Sequence, residues 1–213
     1  MGYAILGWDG EDVEAAARRA RARPAHLDVI TRWAAAGRLS LGVPLFRPDG
    51  SIAGSLMILG AEDEVGVKEY LAEEPFARQG VWLSYQVRPF RIAPLPYHPL
   101  PRSGAVPEAM THQVTIAEDG PGGPARRAAA EAPHMRFVTA AAAAGVLACG
   151  GTLLDPRGAK VGSIAVTRHA TEAEAARFWA EDSYVTERVW GDVARYATRF
   201  APLPYHPLPG TPA

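Results

Sequence analysis

Two histidines in equivalent positions are the residues best suited to chemistry. His26 and His134 lie 108 residues apart, and each is followed by apolar residues at helical spacing. An imidazole on such a stripe faces a sheet or a cavity, and its ordinary pKa is close enough to neutral pH for proton transfer. A buried structural histidine gives the same pattern, so both interpretations stay open. The apolar residues are Val29, Ile30 and Trp33 after His26, and Phe137, Val138 and Ala141 after His134.

Four further residues are candidates for substrate binding. Ser55 and Ser163 each follow a glycine in a predicted strand, where the hydroxyl could hydrogen-bond a ligand; tight strand packing is the alternative. Trp8 is predicted to line the mouth of a pocket. Arg88 could meet an anionic substrate, but Tyr196 stands at its equivalent position, and an arginine that is solvated or paired at the sheet edge is the favoured alternative.

The histidine and serine pairs belong to an internal duplication. The residues at 93–101 return unchanged at 201–209, and the same offset of 108 aligns about a third of all positions as identical. Because this period is too long for a solenoid unit, it indicates a duplicated domain. Applied with no net insertion, the offset aligns His112 with Ala4. We therefore divide the chain into repeat one at 1–101, a linker at 102–109 and repeat two at 110–213.

Each repeat has the predicted element order β-α-β-β-α-β. In repeat one we expect strands at 3–8, 39–46, 51–59 and 81–90 and helices at 11–36 and 62–73, with a helix break at Pro24 an open alternative. This order is typical of a ferredoxin-like α+β unit, in which two helices cover one face of an antiparallel sheet. Since the other face would stay uncovered, we expect the two sheets to pack face to face as a barrel-like pseudo-dimer that encloses a cavity.

Short motifs in each repeat carry a family resemblance. Repeat one has Arg-Pro-Ala-His-Leu at 23–27, Pro-Asp-Gly at 48–50 and Glu-Glu-Pro-Phe at 73–76. Repeat two has Ala-Pro-His-Met at 132–135, Pro-Arg-Gly at 156–158 and Glu-Asp-Ser-Tyr at 181–184. Each motif is short, but their order, found twice, is specific. The chain resembles the YciI-related (YCII domain) proteins of the dimeric α+β barrel superfamily.

The resemblance implies a fold and a pair of sites. Members of this family pair as homodimers of ferredoxin-like units, so a tandem copy is similar to a fused dimer, here an intramolecular dimeric α+β barrel. The implied catalytic residues are His26 with Glu74 and His134 with Asp182. Glu74 stands where the family has aspartate, and Ser183 stands where it has proline. We therefore expect the two sites to differ, with one active and the other degenerate as one outcome.

The composition of the chain disfavours or excludes several classes of function. The 213 residues carry a net charge of −1, which disfavours nucleic acid as a partner, and no apolar run is long enough for a membrane helix. The single cysteine, Cys149, excludes an internal disulfide and a cysteine-cluster metal site. We expect a cytoplasmic protein without cofactor or metal, either a monomeric pseudo-dimer or a homodimer, whose partner is a small organic molecule.

Two functions stay open at this point. The first is a cofactor-independent isomerase or lyase of secondary or catabolic metabolism, with the His–carboxylate pair as acid and base in the cavity between the sheets. The second is a non-catalytic small-molecule-binding or structural module, in which the same pair stabilises the fold.

Overall fold

The computed structural model describes residues 2–61 and 63–212, which form two compact units. Glu62, where the sequence predicts the second helix to begin, lies outside the described residues. Unit 1 runs to Phe90 and also contains Pro101–Val106 and Phe200–His206. Unit 2 contains Arg91–Leu100, Pro107–Arg199 and the residues from Pro207 onward.

Unit 1 has the predicted element order with one short helix added. The elements are β1 Gly2–Asp9, α1 Ala15–Ala35, β2 Leu39–Phe46, β3 Ile52–Leu59, α2 Glu64–Glu73, α3 Pro75–Arg78 and β4 Trp82–Ile92. The strands form an antiparallel sheet in the order β4-β1-β3-β2. The α+β class and the ferredoxin-like repeat are thereby confirmed.

Unit 2 repeats this architecture. Its elements are β5 His112–Asp119, α4 Gly123–Ala143, β6 Leu147–Leu154, β7 Lys160–Thr167, α5 Glu172–Trp179, α6 Ser183–Thr186 and β8 Trp190–Thr198. Its strands follow the order β8-β5-β7-β6 and pair antiparallel.

Local sequence accounts for where these elements begin and end. Asp63 caps α2 by accepting hydrogen bonds from the backbone N–H groups of Val65 and Gly66. Gly37 follows α1 with φ +69°, a conformation that favours glycine and ends the helix. α1 continues through Pro24 without the break left open above, because its buried face, which includes His26, packs along the whole helix.

The first strands of the two repeats do not follow the uniform offset. Gly2 pairs with Phe90 in β1–β4, and His112 pairs with Thr198 in β5–β8. Gly2 is therefore the counterpart of His112, at an offset of 110 (112 − 2), whereas the last strands keep 108 (198 − 90). The alignment of His112 with Ala4 is wrong, because the connection from strand to helix has two fewer residues in repeat two: 120–122 against 10–14.

Candidate functional site

A histidine and a carboxylate form a buried pair in unit 1. The Nδ1 atom of His26 lies 2.7 Å from Oε1 of Glu74, whose side chain is 0% exposed. The same oxygen accepts a hydrogen bond from the backbone N–H of Phe76, so Glu74 also caps α3. The ring of Phe76 stacks on the imidazole with 3.9 Å between centroids. Because an ionised carboxylate can only accept, Nδ1 carries the hydrogen and Nε2 is the basic nitrogen.

Tyr70 gives this carboxylate a further partner. Its hydroxyl donates to Oε2 of Glu74 at 2.6 Å. Burial, and then the charge and hydrogen bond of Glu74, raise the pKa of Tyr70 well above its ordinary value, so the phenol remains a donor. Both oxygens of Glu74 are therefore hydrogen-bonded inside the protein.

Unit 2 holds the equivalent pair with a shorter carboxylate. Nδ1 of His134 lies 3.0 and 2.8 Å from the two oxygens of Asp182, whose side chain is also 0% exposed. Asp182 caps α6 by accepting from the backbone N–H of Tyr184, whose ring stacks on the imidazole at 3.6 Å. Phe178 occupies the position of Tyr70, so no hydroxyl reaches the carboxylate from that position.

An arginine connects each histidine site to a strand serine. In unit 1, Arg19 donates to both oxygens of Asp9 at 2.8 Å and to the hydroxyl of Ser55 at 2.9 Å. Its guanidinium lies over Phe76, the ring that stacks on His26. Burial raises the pKa of Asp9 despite the opposing effect of Arg19.

The arginine of unit 2 makes the same set of contacts. Arg127 donates to Asp119 through Nε at 2.8 Å and to Ser163 at 3.2 Å, and it lies over Tyr184. Burial acts to lower the pKa of Arg127, but the hydrogen bond and charge of Asp119 outweigh it and raise that pKa. Ser163 also accepts from the indole N–H of Trp190. The guanidinium is thus a fixed cation over Tyr184, the ring that stacks on His134.

A pocket opens at the histidine of unit 2. Its empty volume is about 500 Å³, counted with the solvent at its mouth. Within the described residues, Nε2 of His134 has no hydrogen-bond partner, so the basic nitrogen is available to a bound molecule. The polar lining residues include Arg127, Glu131, His134, Thr152, Lys160, Ser163 and Tyr184.

The position of the two pairs differs from the expected one. Each pair lies between the helices and the helix-covered face of its own unit's sheet, not in a cavity between the sheets. Arg19, on the same helix as His26, reaches Ser55 on that face, and the pocket of His134 is lined by Ser163 on the equivalent face. The prediction failed because the apolar stripe of each helix packs on the sheet of its own repeat.

Two of the predicted binding residues do not join the histidine site of unit 1. Directly paired residues share a sheet face, and successive residues alternate between faces. Ser55 pairs with Gly7, so Trp8 lies on the opposite face. Arg88 pairs with Ala4, which shares the face of Trp8. The structure therefore brings His26, Glu74 and Ser55 together and leaves Trp8 and Arg88 on the far side of the sheet.

Sequence reasoning missed the two Arg–Asp pairs. Arg19 and Arg127 obey the offset of 108, but Asp9 and Asp119 are 110 apart, so the uniform alignment paired Asp9 with Ala117. An alignment that allowed a shorter loop before the helix would have matched both aspartates. The sequence therefore contained the signal, since Arg, Asp, His and Ser recur in both copies.

The fold and the paired site define an α+β protein of two ferredoxin-like repeats. The YCII-related domain matches residues 1–91 and 111–197. The chain therefore belongs to the YCII-related domain family, which it contains twice.

Solved structures share the fold at low sequence identity. A proposed monooxygenase from Fusobacterium nucleatum is 9% identical, with a TM-score of 0.59, over 93% of this chain and 91% of its own. A chlorite dismutase from Candidatus Nitrospira defluvii is 10% identical, with a TM-score of 0.56, over 94% and 91%.

A shorter protein matches part of the chain. This is the 5-chloro-2-hydroxyhydroquinone dehydrochlorinase of Burkholderia phenoliruptrix, solved with 2,5-dihydroxybenzoquinone. It is 20% identical, with a TM-score of 0.38, over 44% of this chain and 96% of its own. No curated protein sequence matches the chain significantly.

The described residues contain neither a cluster of metal-ligating side chains nor a membrane-spanning helix. Among residues 2–61 and 63–212, no three histidine, cysteine, aspartate or glutamate side chains are grouped as metal ligands would be. In the same ranges no helix has the length and apolar character needed to cross a membrane.

Proposed function

We propose that this protein is an enzyme that acts on a small organic molecule, with His134 and Asp182 as its acid/base pair. The observation that carries this proposal is the free Nε2 of His134 beside an open pocket, while Nδ1 is held by a buried carboxylate. Such a carboxylate fixes the tautomer and stabilises the imidazolium that forms when Nε2 accepts a proton.

The other polar side chains at the His134 pocket suit catalysis by proton transfer better than catalysis by nucleophilic attack. In an isomerisation, Nε2 of His134 would take a proton from one carbon of the substrate and return it to another. In an elimination, it would take the proton while the leaving group departs with the bonding electrons. Arg127 and Ser163 would bind the substrate's polar group and stabilise negative charge developing on it. The isomerase or lyase class thus fits a site of these residues.

A structural role is the second candidate, and it applies best to repeat one. Glu74 there is fully buried, binds His26 and Tyr70, and caps α3. A pair with this many internal partners stabilises the fold whether or not a ligand binds. We therefore propose His134 as the acid/base residue and His26 mainly as a structural one.

The test compares the two histidines in the full chain. Lactones, quinols, phenols and 2-oxo acids are screened by thermal shift, and each compound that raises Tm is assayed for turnover by liquid chromatography coupled to mass spectrometry, which also separates isomers of equal mass. We expect His134→Ala to lower kcat by roughly 100-fold or more. His26→Ala, the matched control, should keep kcat within a few-fold and lower Tm instead. Equal turnover by wild type and a folded His134→Ala protein would overturn the proposal.

A further inference from the structure

We infer that the His134 pocket binds an apolar group of its ligand on Gly150 and Ala165, two residues that we call the apolar subsite. The inference rests on the proposed function in that it concerns the same pocket. It adds the ligand class: a small molecule with a polar reacting end and an apolar substituent of about three heavy atoms.

Repeat one shows what fills this space when no ligand does. Gly42 pairs with Met57 in β2–β3, and Gly150 pairs with Ala165 at the same place in β6–β7. Met57 is 1% exposed, and its terminal methyl lies over Gly42, 2.7 Å from where a Cβ would stand. Met57 thus covers the glycine and fills the region above it.

Repeat two has the same glycine without the methionine. Alanine at 165 lacks the three heavy atoms beyond Cβ that methionine carries, and both Gly150 and Ala165 line the pocket. The space that a side chain fills in one repeat is therefore available to a ligand in the other. Leu95, Val138 and Leu147 also line this pocket, so apolar atoms are its natural contents.

The distance between the polar and apolar parts sets the size of the ligand. Ser163 and Ala165 are two residues apart on one strand and point to the same face, which places them roughly 7 Å apart. Arg127 bonds to Ser163 and lies over the ring that stacks on His134. A molecule of about that length, such as a substituted six-membered ring, would reach from the Ser163 hydroxyl to the apolar subsite.

The experiment uses phenol and its 4-methyl, 4-ethyl and 4-propyl derivatives as probes of the intact protein. Dissociation constants are measured by calorimetry for wild type and Ala165→Met, which installs the repeat-one residue. In wild type we expect the affinity to rise about fourfold for each added carbon. In Ala165→Met this gain should disappear, so that the propyl derivative binds at least 10-fold more weakly than to wild type.

Two further variants keep the result interpretable. Ala165→Val should give an intermediate loss and serves if the methionine variant does not fold. Met57→Leu conserves volume at the equivalent position of repeat one, and it should leave the whole series unchanged.

Three outcomes would overturn the inference: no probe binding to wild type, no gain with alkyl length, or equal gains in wild type and Ala165→Met. The expected series without turnover of any screened compound would leave the apolar subsite standing and refute the proposed catalysis. Turnover that depends on His134 but not on residue 165 would support the proposed catalysis and refute the apolar subsite.

Discussion

Tyr70 distinguishes the histidine pair of repeat one from that of repeat two. Its hydroxyl holds the second oxygen of Glu74, whereas Phe178 stands at that position beside Asp182. The carboxylate of repeat one is consequently tied to two side chains and a backbone N–H. In repeat two both carboxylate oxygens contact His134. The residue differences therefore favour a structural role for the first pair and a chemical role for the second.

Replacing Tyr70 by phenylalanine tests this structural role. The change leaves a buried carboxylate oxygen without its donor, which should lower the free energy of unfolding by about 1–3 kcal/mol. The measurement is urea denaturation of wild type and Tyr70→Phe. Tyr85→Phe is the control, because Tyr85 is 47% exposed and its hydroxyl should contribute little. A Tyr70→Phe protein as stable as the control would contradict this account.

At the level of elements, each repeated Leu-Pro-Tyr-His-Pro tail binds a strand glycine. The hydroxyl of Tyr97 donates to the carbonyl of Gly150 and accepts from its N–H, within unit 2. Tyr205 makes the same two bonds with Gly42 in unit 1. The tail of repeat one also supplies Leu95 to the lining of the His134 pocket. These tails thus hold the second strand of each sheet in place.

The two tails can be compared by one substitution each. Tyr97→Phe removes the hydroxyl that accepts from the Gly150 N–H beside the pocket. Tyr205→Phe removes the hydroxyl that bonds both the N–H and the carbonyl of Gly42. Each should lower the free energy of unfolding by about 1–3 kcal/mol, measured by urea denaturation. Only Tyr97→Phe should also weaken 4-propylphenol binding, because Gly150 belongs to the apolar subsite. Equal binding by both variants would show that the tail does not support the pocket.

Most elements could be predicted from the sequence because their patterns are local. The strand at 39–46 has the predicted bounds, since alternating apolar residues and a flanking turn define it. The helices α3 and α6 were not predicted. Each has four residues and is capped by Glu74 or Asp182, a carboxylate that also meets a histidine 48 residues away in the sequence.

Over the whole chain, both repeats share the arginine, histidine and serine of the site but differ in the residues that fill the space around them. Arginine, histidine and serine recur in both copies, whereas Met57 and Trp33 become Ala165 and Ala141. The family resemblance implied that each histidine meets its carboxylate, and both pairs form. It could not predict how much space surrounds each histidine, because that depends on side-chain volumes packed from several elements.

The central claim is that Asp182 holds the hydrogen on Nδ1 of His134 and leaves Nε2 as a base in the pocket. The most direct test is nitrogen NMR of the two histidines in ¹⁵N-labelled full-length protein, assigned with His26→Ala and His134→Ala. The spectra are recorded at pH 8, where an ordinary imidazole is neutral. We predict an unprotonated Nε2 and a protonated Nδ1 for His134, with the Nε2 signal alone shifting on addition of 4-propylphenol. A hydrogen on Nε2, or an Nε2 signal that ignores the ligand, would contradict the account.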